Sequence, residues 1–339
     1  MKKILVTGGL GYIGSHVVVE LQREGYHVVI IDNLSNSDIT VLDKIVQISG
    51  INPFFERLDI TNKALVADFF KRHSDIDGVI HFAALKAVAE SVSNPLRYYE
   101  NNINSLVYIL QGLNSLESRN MIFSSSCTVY GQANELPITE TAIEREPESP
   151  YGMTKKVGEK IIRDTCLANK TLNAISLRYF NPIGAHYSAK IGELPRGTPQ
   201  NLVPYITQTA IGLRKQLSVF GGDYPTRDGT CIRDYIHVVD LAKAHVIAMN
   251  RLMQRENFEN YEFFNIGTGK GSTVLEVIKA FEEVTGVDLN YSIVQKRPGD
   301  IISAYADTNK ANKILGWNHS YSLKEALNSA WEWQKTQLK

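Results

Sequence analysis

Short apolar runs rich in branched residues alternate with amphipathic stretches through the first half of the chain. Lys2 to Val6 reads as a buried strand, followed by an apolar-periodic helix from about Ser15 to Arg23. His27 to Ile31 is a second strand and ends in Asp32. Phe54 to Leu58 is a third, ending at Asp59-Ile60, and Lys63 to Arg72 is a helix. Gly78 to Phe82 is a strand that runs out into Ala83-Ala84. Asn94 to Leu116 reads as one long helix, Met121 to Phe123 as a strand, Ser149 to Asn169 as a helix and Ala174 to Arg178 as a strand. This alternation predicts an α/β fold, a Rossmann-like doubly wound parallel sheet with right-handed crossovers. After Phe180 the rhythm breaks into a Gly-, Pro- and polar-rich stretch from Asn181 to Gly197. Loops and short helices follow, with strand signals at Leu217 to Phe220 and Tyr261 to Ile266 and helices at Thr273 to Thr285 and Leu323 to Lys335. The expected division is residues 1–180 for the sheet and 181–339 for a smaller mixed α/β substrate domain, with segments around 230–260 returning to the first.

The chemistry sits where the strands end. Between the first strand and its helix lies Thr7-Gly-Gly-Leu-Gly-Tyr-Ile-Gly14. Gly8, Gly11 and Gly14 permit a tight turn, close approach of a pyrophosphate and packing of helix on strand. The helix N-terminus offers free N–H groups to the phosphates. A carboxylate at Asp32 would accept hydrogen bonds from the adenine ribose and repel a 2′-phosphate, which favours NAD over NADP. Ligands of such sheets lie outside the strand C-termini, so Asp32, Asp59, Ala83, Ser126 and Phe180 should converge on one crevice. In Tyr151-Gly-Met-Thr-Lys155 a phenol and an ammonium stand four residues apart, on one helix face. The ammonium would favour phenolate and make Tyr151 a proton acceptor near neutral pH.

Composition narrows the possibilities further. Charges balance, 36 basic against 36 acidic residues, and nothing suggests a nucleic acid or an anionic membrane surface as a partner. No apolar run has spanning length, and Met-Lys-Lys leads straight into a strand without a signal peptide. Three cysteines without metal spacing (127, 166 and 231) suggest a reducing cytoplasm and no disulfide framework. No His, Cys and carboxylate cluster has metal spacing, so no metal is expected.

Several stretches together resemble the extended short-chain dehydrogenase/reductases, and within them the family of UDP-glucose 4-epimerases, over essentially the whole chain. Gly8-Gly-Leu-Gly-Tyr-Ile-Gly-Ser-His16 and Ser149-Pro-Tyr-Gly-Met-Thr-Lys155 mark the superfamily. More specific to the epimerases are Val79-Ile-His-Phe-Ala-Ala-Leu-Lys-Ala-Val-Ala-Glu-Ser91, Leu177-Arg-Tyr-Phe-Asn-Pro-Ile-Gly-Ala-His186 and Asp228-Gly-Thr-Cys-Ile-Arg-Asp-Tyr-Ile-His-Val239. The resemblance implies that a tightly bound NAD, regenerated each turnover, oxidises C4 of a UDP-sugar to a ketone. The sugar then turns, and hydride returns to its other face. It implies Tyr151 as acid/base, Lys155 beside it, and Ser126 holding the sugar oxygen or relaying its proton. Implied cofactor contacts are Gly8, Gly11, Tyr12, Ile13, Gly14, the run Asp32, Asn33, Leu34, Ser35, Asn36, Ser37, then Asp59, Ile60, Phe82, Ala83, Ala84, Leu85, Lys86, Asn101 and Phe180, with Ser126, Tyr151 and Lys155. Implied substrate contacts are Ser126, Tyr151, Asn181, Asn201, Leu202, Phe220, Arg233, Arg297, Asp300 and Ala304. Arg233 and Arg297 suit a diphosphate, because guanidinium pairs with phosphate oxygens in a fork. Family members commonly pair through two helices as a four-helix bundle, so the resemblance also implies a homodimer.

Bland readings stand beside these. Arg233 could pair with Asp234, and His81, His186 and His237 could be structural. Alignment of Arg297-Pro-Gly-Asp300 puts Ala304 where epimerases restricted to plain hexoses often carry a bulky Tyr. Ala leaves space for an N-acetyl group, unless Tyr305 swings in. A nucleotide-sugar dehydratase would need an Asp-Glu acid pair where this chain has Cys127 and Thr128, and a non-catalytic dinucleotide sensor would not need Ser126, Tyr151 and Lys155 together.

Overall fold

The computed structural model describes residues 1–297 and 300–338; Pro298, Gly299 and Lys339 lie outside the described residues, so the centre of the Arg297–Asp300 motif does too. The first half runs β1 (Lys3–Thr7), α1 (Tyr12–Arg23), β2 (His27–Asp32), α2 (Thr40–Ser49), β3 (Phe54–Arg57), α3 (Lys63–Arg72), β4 (Gly78–His81), α4 (Val88–Ser93), α5 (Pro95–Leu113), β5 (Asn120–Ser126), α6 (Pro150–Ala168) and β6 (Asn173–Tyr179). The second half runs β7 (Asn181–Ile183), α7 (Leu202–Ala210), β8 (Leu217–Phe220), β9 (Ile232–His237), α8 (Val238–Met253) and β10 (Tyr261–Ile266). It ends with β11 (Gly271–Thr273), α9 (Val274–Thr285), β12 (Tyr291–Val294), β13 (Ser303–Ala304) and α10 (Leu323–Thr336).

A seven-stranded parallel sheet, ordered β10-β6-β5-β4-β1-β2-β3, forms the centre. Its strands are apolar on both faces, as a sheet covered by helices on both sides must be. Ile4 and Val6 pack with Val17, Val18 and Leu21 of α1 and Leu241 and Met249 of α8. Leu5 between them points the other way, toward Phe69 of α3, Leu106 and Ile109 of α5 and Ile162 of α6. This alternation is the pleat of a strand. The second half has its own core, in which Val277 and Phe281 of α9, Leu327 of α10 and Ile206 of α7 meet Leu217 and Val219 of β8.

Some expectations change. The long helix expected from Asn94 to Leu116 runs unbroken as α5; Asn94 caps it with a non-helical φ of −140°, because Pro95 disfavours helical backbone in the residue before it, and the short α4 lies outside the expected elements. The strand signal at Tyr261–Ile266, counted with the second half, forms the edge of the central sheet beside β6, and α8 packs on that sheet's face. The short strands β7, β9, β11 and β13 carry no period of their own. They pair with one another in a small mixed sheet, β11-β9-β13 with β7 also on β9.

Five of the eight histidines, His16, His81, His186, His237 and His245, are buried in these cores and junctions. Burial lowers each ring's pKa, to about 3 for His16 and His81 and to about 4 for His186, His237 and His245. Unfolding exposes them at their ordinary value near 6.5. Below that pH the unfolded chain binds protons that the folded protein refuses until pH 4 or lower. Their contribution is therefore present above pH 6.5 and is lost as pH falls toward the folded values. Thermal melts should show the midpoint dropping by at least about 5 °C between pH 6.5 and 5; a flat profile would mean that these rings are already protonated, or exposed, in the native state.

Candidate active site

The turn after β1 is shaped by close approach. Gly8 has a φ of +68°, and a Cβ there would lie 3.0 Å from the Ala83 nitrogen. A Cβ on Gly14 would lie 2.3 Å from the Gly8 carbonyl oxygen. No residue but glycine fits either position without moving backbone. The turn is closed by Gly11 N–H donating to the Gly8 carbonyl (3.0 Å) and Gly8 N–H donating to Ile31 (2.8 Å). Gly11 caps α1 without a side-chain acceptor, so the first N–H groups, at Tyr12 and Ile13, point out past the strand ends with no intrahelical partner. The Tyr12 side chain turns away and donates its hydroxyl proton to the Gly184 carbonyl of the second half (2.7 Å).

Asp32 ends β2 and accepts from Leu10 N–H (3.2 Å), Leu34 N–H (2.9 Å) and the Ser37 hydroxyl (2.8 Å). The following run, Asn33, Leu34, Ser35, Asn36 and Ser37, curls around it, and Asn33 reaches Asp59 (3.4 Å), beside the buried Ile60. A phosphate-ready helix end with an acid at the next strand end is the donor and acceptor set that a dinucleotide without a 2′-phosphate needs. The glycine turn leaves backbone room for it, so the residues present fit NAD.

Beyond β4, Phe82 packs against His245 (4.8 Å between rings), and Ala83 N–H donates to the Thr7 hydroxyl (3.2 Å). The Ala84–Lys86 stretch is held by Asn102, which sequence reasoning missed. Asn102 accepts from Leu85 N–H (2.8 Å) and donates to the Leu85 carbonyl (3.0 Å) and the Thr154 hydroxyl (3.0 Å). Asn101, the expected contact, donates to Asn102 (2.9 Å). An Asn-Asn pair inside an amphipathic helix was the available signal. Glu193 was missed as well. It accepts from Lys86 (3.1 Å) and from Asn201 (2.8 Å), joining a cofactor candidate to a substrate candidate. Nothing in its local sequence marks it.

Tyr151, Lys155 and Glu159 line one face of α6, each one turn from the last. Lys155 is buried and donates to the Ser124 carbonyl (2.7 Å), with its nitrogen 5.8 Å from the centre of the Tyr151 ring and 5.0 Å from that of Phe123. Ser126, at the end of β5, accepts from Thr128 N–H (3.2 Å). Burial pushes the Tyr151 phenol up to about 12, Cys127 adds to the rise, and the Ser126 hydroxyl opposes it. Burial lowers Lys155 to about 8, against the pull of Glu159. This corrects the expectation that the ammonium alone makes Tyr151 acidic: in the protein by itself, loss of water outweighs it.

The substrate candidates form separate groups. Phe180 is buried with Val129, Tyr130, Ile138, Ala304 and Ala306. Asn181 opens β7 and pairs with Tyr235 of β9. On β9, Arg233 lies in register with Ala304 of β13. Asp234 does not pair with it; its carboxylate accepts from Thr268 N–H (2.8 Å), Gly269 N–H (3.1 Å) and Ala306 N–H (3.1 Å). Among the described residues no acid forms an ion pair with Arg233. Farther out, Arg297 sits 4.4 Å from the Phe220 ring centre and pairs with Asp300 (3.1 Å). Asn201 precedes α7, and Leu202 begins it against the second-half core. Ala304 is buried, whereas the Tyr305 ring packs where a Cβ on Gly271 would lie. Cys127, Cys166 and Cys231 are all free thiols. Among the described residues no cluster of His, Cys, Asp or Glu could hold a metal ion, and no helix is long and apolar enough to cross a membrane.

Comparison with known proteins places the chain in a family. Residues 5–330 match the family model described as GDP-mannose 4,6 dehydratase. The UDP-glucose 4-epimerase of Bacillus subtilis is 46% identical over 335 residues, covering 99% of this chain and 97% of that protein. The crystal structure of the Stenotrophomonas maltophila UDP-glucose 4-epimerase, with bound NAD and formylated UDP-arabinopyranose, superposes with a TM-score of 0.95 at 46% identity, covering 100% of this chain and 99% of that one. The Bifidobacterium longum UDP-glucose 4-epimerase in complex with NAD+ and UDP gives a TM-score of 0.94 at 44% identity, covering 99% of each chain. With such identity along nearly its whole length, the chain belongs to the UDP-glucose 4-epimerases, within the extended short-chain dehydrogenase/reductases.

Proposed function

We propose that the protein interconverts UDP-glucose and UDP-galactose by oxidation at C4, turning of the keto sugar and re-reduction. The observation that carries the reading is that Ser126 at the end of β5, with Tyr151 and Lys155 of α6 beside that strand, lies at the same edge of the parallel sheet as the glycine turn after β1 and Asp32 at the end of β2. A bound NAD supplies the hydride acceptor and donor. Gly8 to Gly14 and Asp32 to Ser37 hold it, with Asp59, Phe82 to Lys86 and Asn101 alongside. Tyr151 takes the proton of the C4 hydroxyl and returns it. At neutral pH Lys155, near 8, remains mostly protonated, and its charge helps stabilise the phenolate that forms. Ser126 holds the sugar oxygen. Arg233, free of Asp234, and Arg297 grip the diphosphate, and Asp300 exchanges its ion pair for the uridine ribose. The sheet unit, residues 1–180 with the returning segment near 230–260, serves the cofactor, and the rest of 181–339 serves the UDP-sugar.

A dehydratase reading deserves weight because the matching family model bears that name. Water elimination needs an acid after Ser126. Cys127 there is half-buried, desolvation pushes its thiol up to about 11, and Thr128 is no acid. A homodimer through α5 and α6 is the proposed assembly, since α5 leaves Leu96 and Tyr99 exposed and α6 leaves Leu167 exposed. Three free thiols fit a cytoplasmic location.

Ala304 extends the substrate range. An Ala beside Phe180, in place of a bulky Tyr, supports this reading: the smaller side chain removes a steric block to an N-acetyl group, so UDP-N-acetylglucosamine and UDP-N-acetylgalactosamine should also interconvert. Ala304→Tyr should suppress that activity at least about tenfold and spare UDP-galactose. No turnover of either acetylated sugar by the unaltered enzyme would sink the extension. Tyr151→Phe should lower UDP-galactose turnover by at least ~100-fold, the size of one acid/base contribution, while NAD stays bound. Near-normal turnover would remove Tyr151 from the mechanism.

A further inference from the structure

The loop that follows β2 is largely exposed and has few ties to the rest of the molecule: Leu34 packs against the first core, and Leu10 N–H donates to Asp32 (3.2 Å). Ser35 and Asn36 are exposed, and Leu34 has a φ of +63°, a left-handed conformation that a residue with a side chain adopts at a cost. Within the segment, Asp32 and Asn33 accept from Leu34, Ser35 and Ser37. From outside it, Asn33 reaches Asp59 through one long hydrogen bond (3.4 Å). The stronger outside tie comes from the other half of the chain. Arg196 spreads its guanidinium across the loop, Nη1 donating to the Ser35 carbonyl (2.9 Å) and Nη2 to the Ser37 carbonyl.

Arg196 belongs to a strap, residues 185–201, that crosses from the second half to the first. Three residues before it, Glu193 joins Lys86 to Asn201, and its backbone carbonyl accepts from the Trp333 indole (3.0 Å). Upstream, Lys190 donates to Gln47 of α2 (3.0 Å) and Arg23 of α1 to the Tyr187 hydroxyl (2.9 Å). The strap thus touches both the loop at the adenosine end of the crevice and the lysine nearer its middle. Its anchor at Trp333 fixes where Arg196 can reach.

Resting on the NAD reading above, we propose that Arg196 is a positioning residue for the cofactor. It holds the Ser35–Ser37 backbone from across the crevice, keeps the ribose-binding loop in its receiving shape, and so slows release of NAD. A guanidinium suits the task because its planar fork presents two donors at a fixed separation, one to each carbonyl, where a compact ammonium offers a single point charge. Release of the adenosine end then requires the loop to part from Arg196, and the same movement loosens Glu193 from Lys86.

The test uses the NAD-loaded holoenzyme. Bound dinucleotide is chased, and its loss is followed over time, for the unaltered protein and for Arg196→Ala, Arg196→Gln and Arg196→Lys. Loss of two charge-assisted hydrogen bonds should speed release roughly tenfold in the Ala and Gln variants. The Lys variant, with one donor in reach of one carbonyl, should fall between. Amide hydrogen exchange of the NAD-free protein should show residues 33–38 less protected in Arg196→Ala, while its melting point stays within about 2 °C of the unaltered NAD-free protein. Release at the unaltered rate in Arg196→Ala, or equal release in Arg196→Lys and Arg196→Ala, overturns the proposal; so does a general loss of stability in the NAD-free variant that accounts for the faster release. Failure of the unaltered protein to hold NAD would instead overturn the cofactor reading itself.

Discussion

A buried ion pair fixes where the chemistry can happen. Glu159 lies two turns beyond Tyr151 on the same face of α6 and is almost wholly enclosed. It accepts from Arg178 Nε (2.9 Å) and Nη2 (2.6 Å) on β6 and from the Ser125 hydroxyl (2.5 Å) on β5. Arg178 is fully buried, with its guanidinium 4.3 Å from the Phe263 ring centre and 4.8 Å from that of Tyr130. Such a pair recovers the cost of desolvating two charges only through this density of hydrogen bonds, and losing one partner alone costs roughly 3–5 kcal/mol. What it secures is register. With Glu159 locked to β5 and β6, Lys155 falls on the Ser124 carbonyl and Tyr151 comes to the end of β5, beside Ser126.

The same enclosure sets the electrostatic problem of the site. Desolvation around the half-buried Tyr151 and the buried Lys155 makes Tyr151 hold its proton tightly and Lys155 hold its own more loosely than in water. A free phenol at about 12 is a poor base at neutral pH. The proposed base therefore depends on charge that arrives with the ligands and on the Lys155 ammonium nearby, which gives a reason for the protein to bind cofactor before it can act. The surroundings that make the unliganded phenol reluctant also keep water away from a ketone once formed.

Much of this was legible in the sequence, and the limits are physical. Glycine spacing, an acid after the second strand and a Tyr and Lys one turn apart are local patterns; the structure has the first two at the ends of β1 and β2 and the pair on α6, with Lys155 reaching the Ser124 carbonyl of β5. The buried strands announce themselves by branched apolar runs. The start of α5 at Pro95 could have been read from the proline itself. The small strands β7, β9, β11 and β13 could not, because two to six residues have no period to detect and their pairing joins distant segments. Asn102 holds a partner 17 positions away, Glu193 one 107 away and Arg196 one 161 away, so these roles exist only after folding. Burial of Tyr151 and Lys155 belongs to the same class: their spacing told which groups meet, and packing decided which way their proton affinities moved.

The central claim is that one carbon-bound hydrogen leaves C4 and returns to it within a single closed site. The direct measurement supplies UDP-galactose carrying deuterium at C4 and follows the label in the UDP-glucose formed, alongside the redox state of the dinucleotide. The account predicts that the deuterium is found at C4 of the product with no loss to solvent, and that the dinucleotide ends the reaction oxidised and still bound. Deuterium lost to water, or NADH accumulating in proportion to sugar consumed, would contradict it.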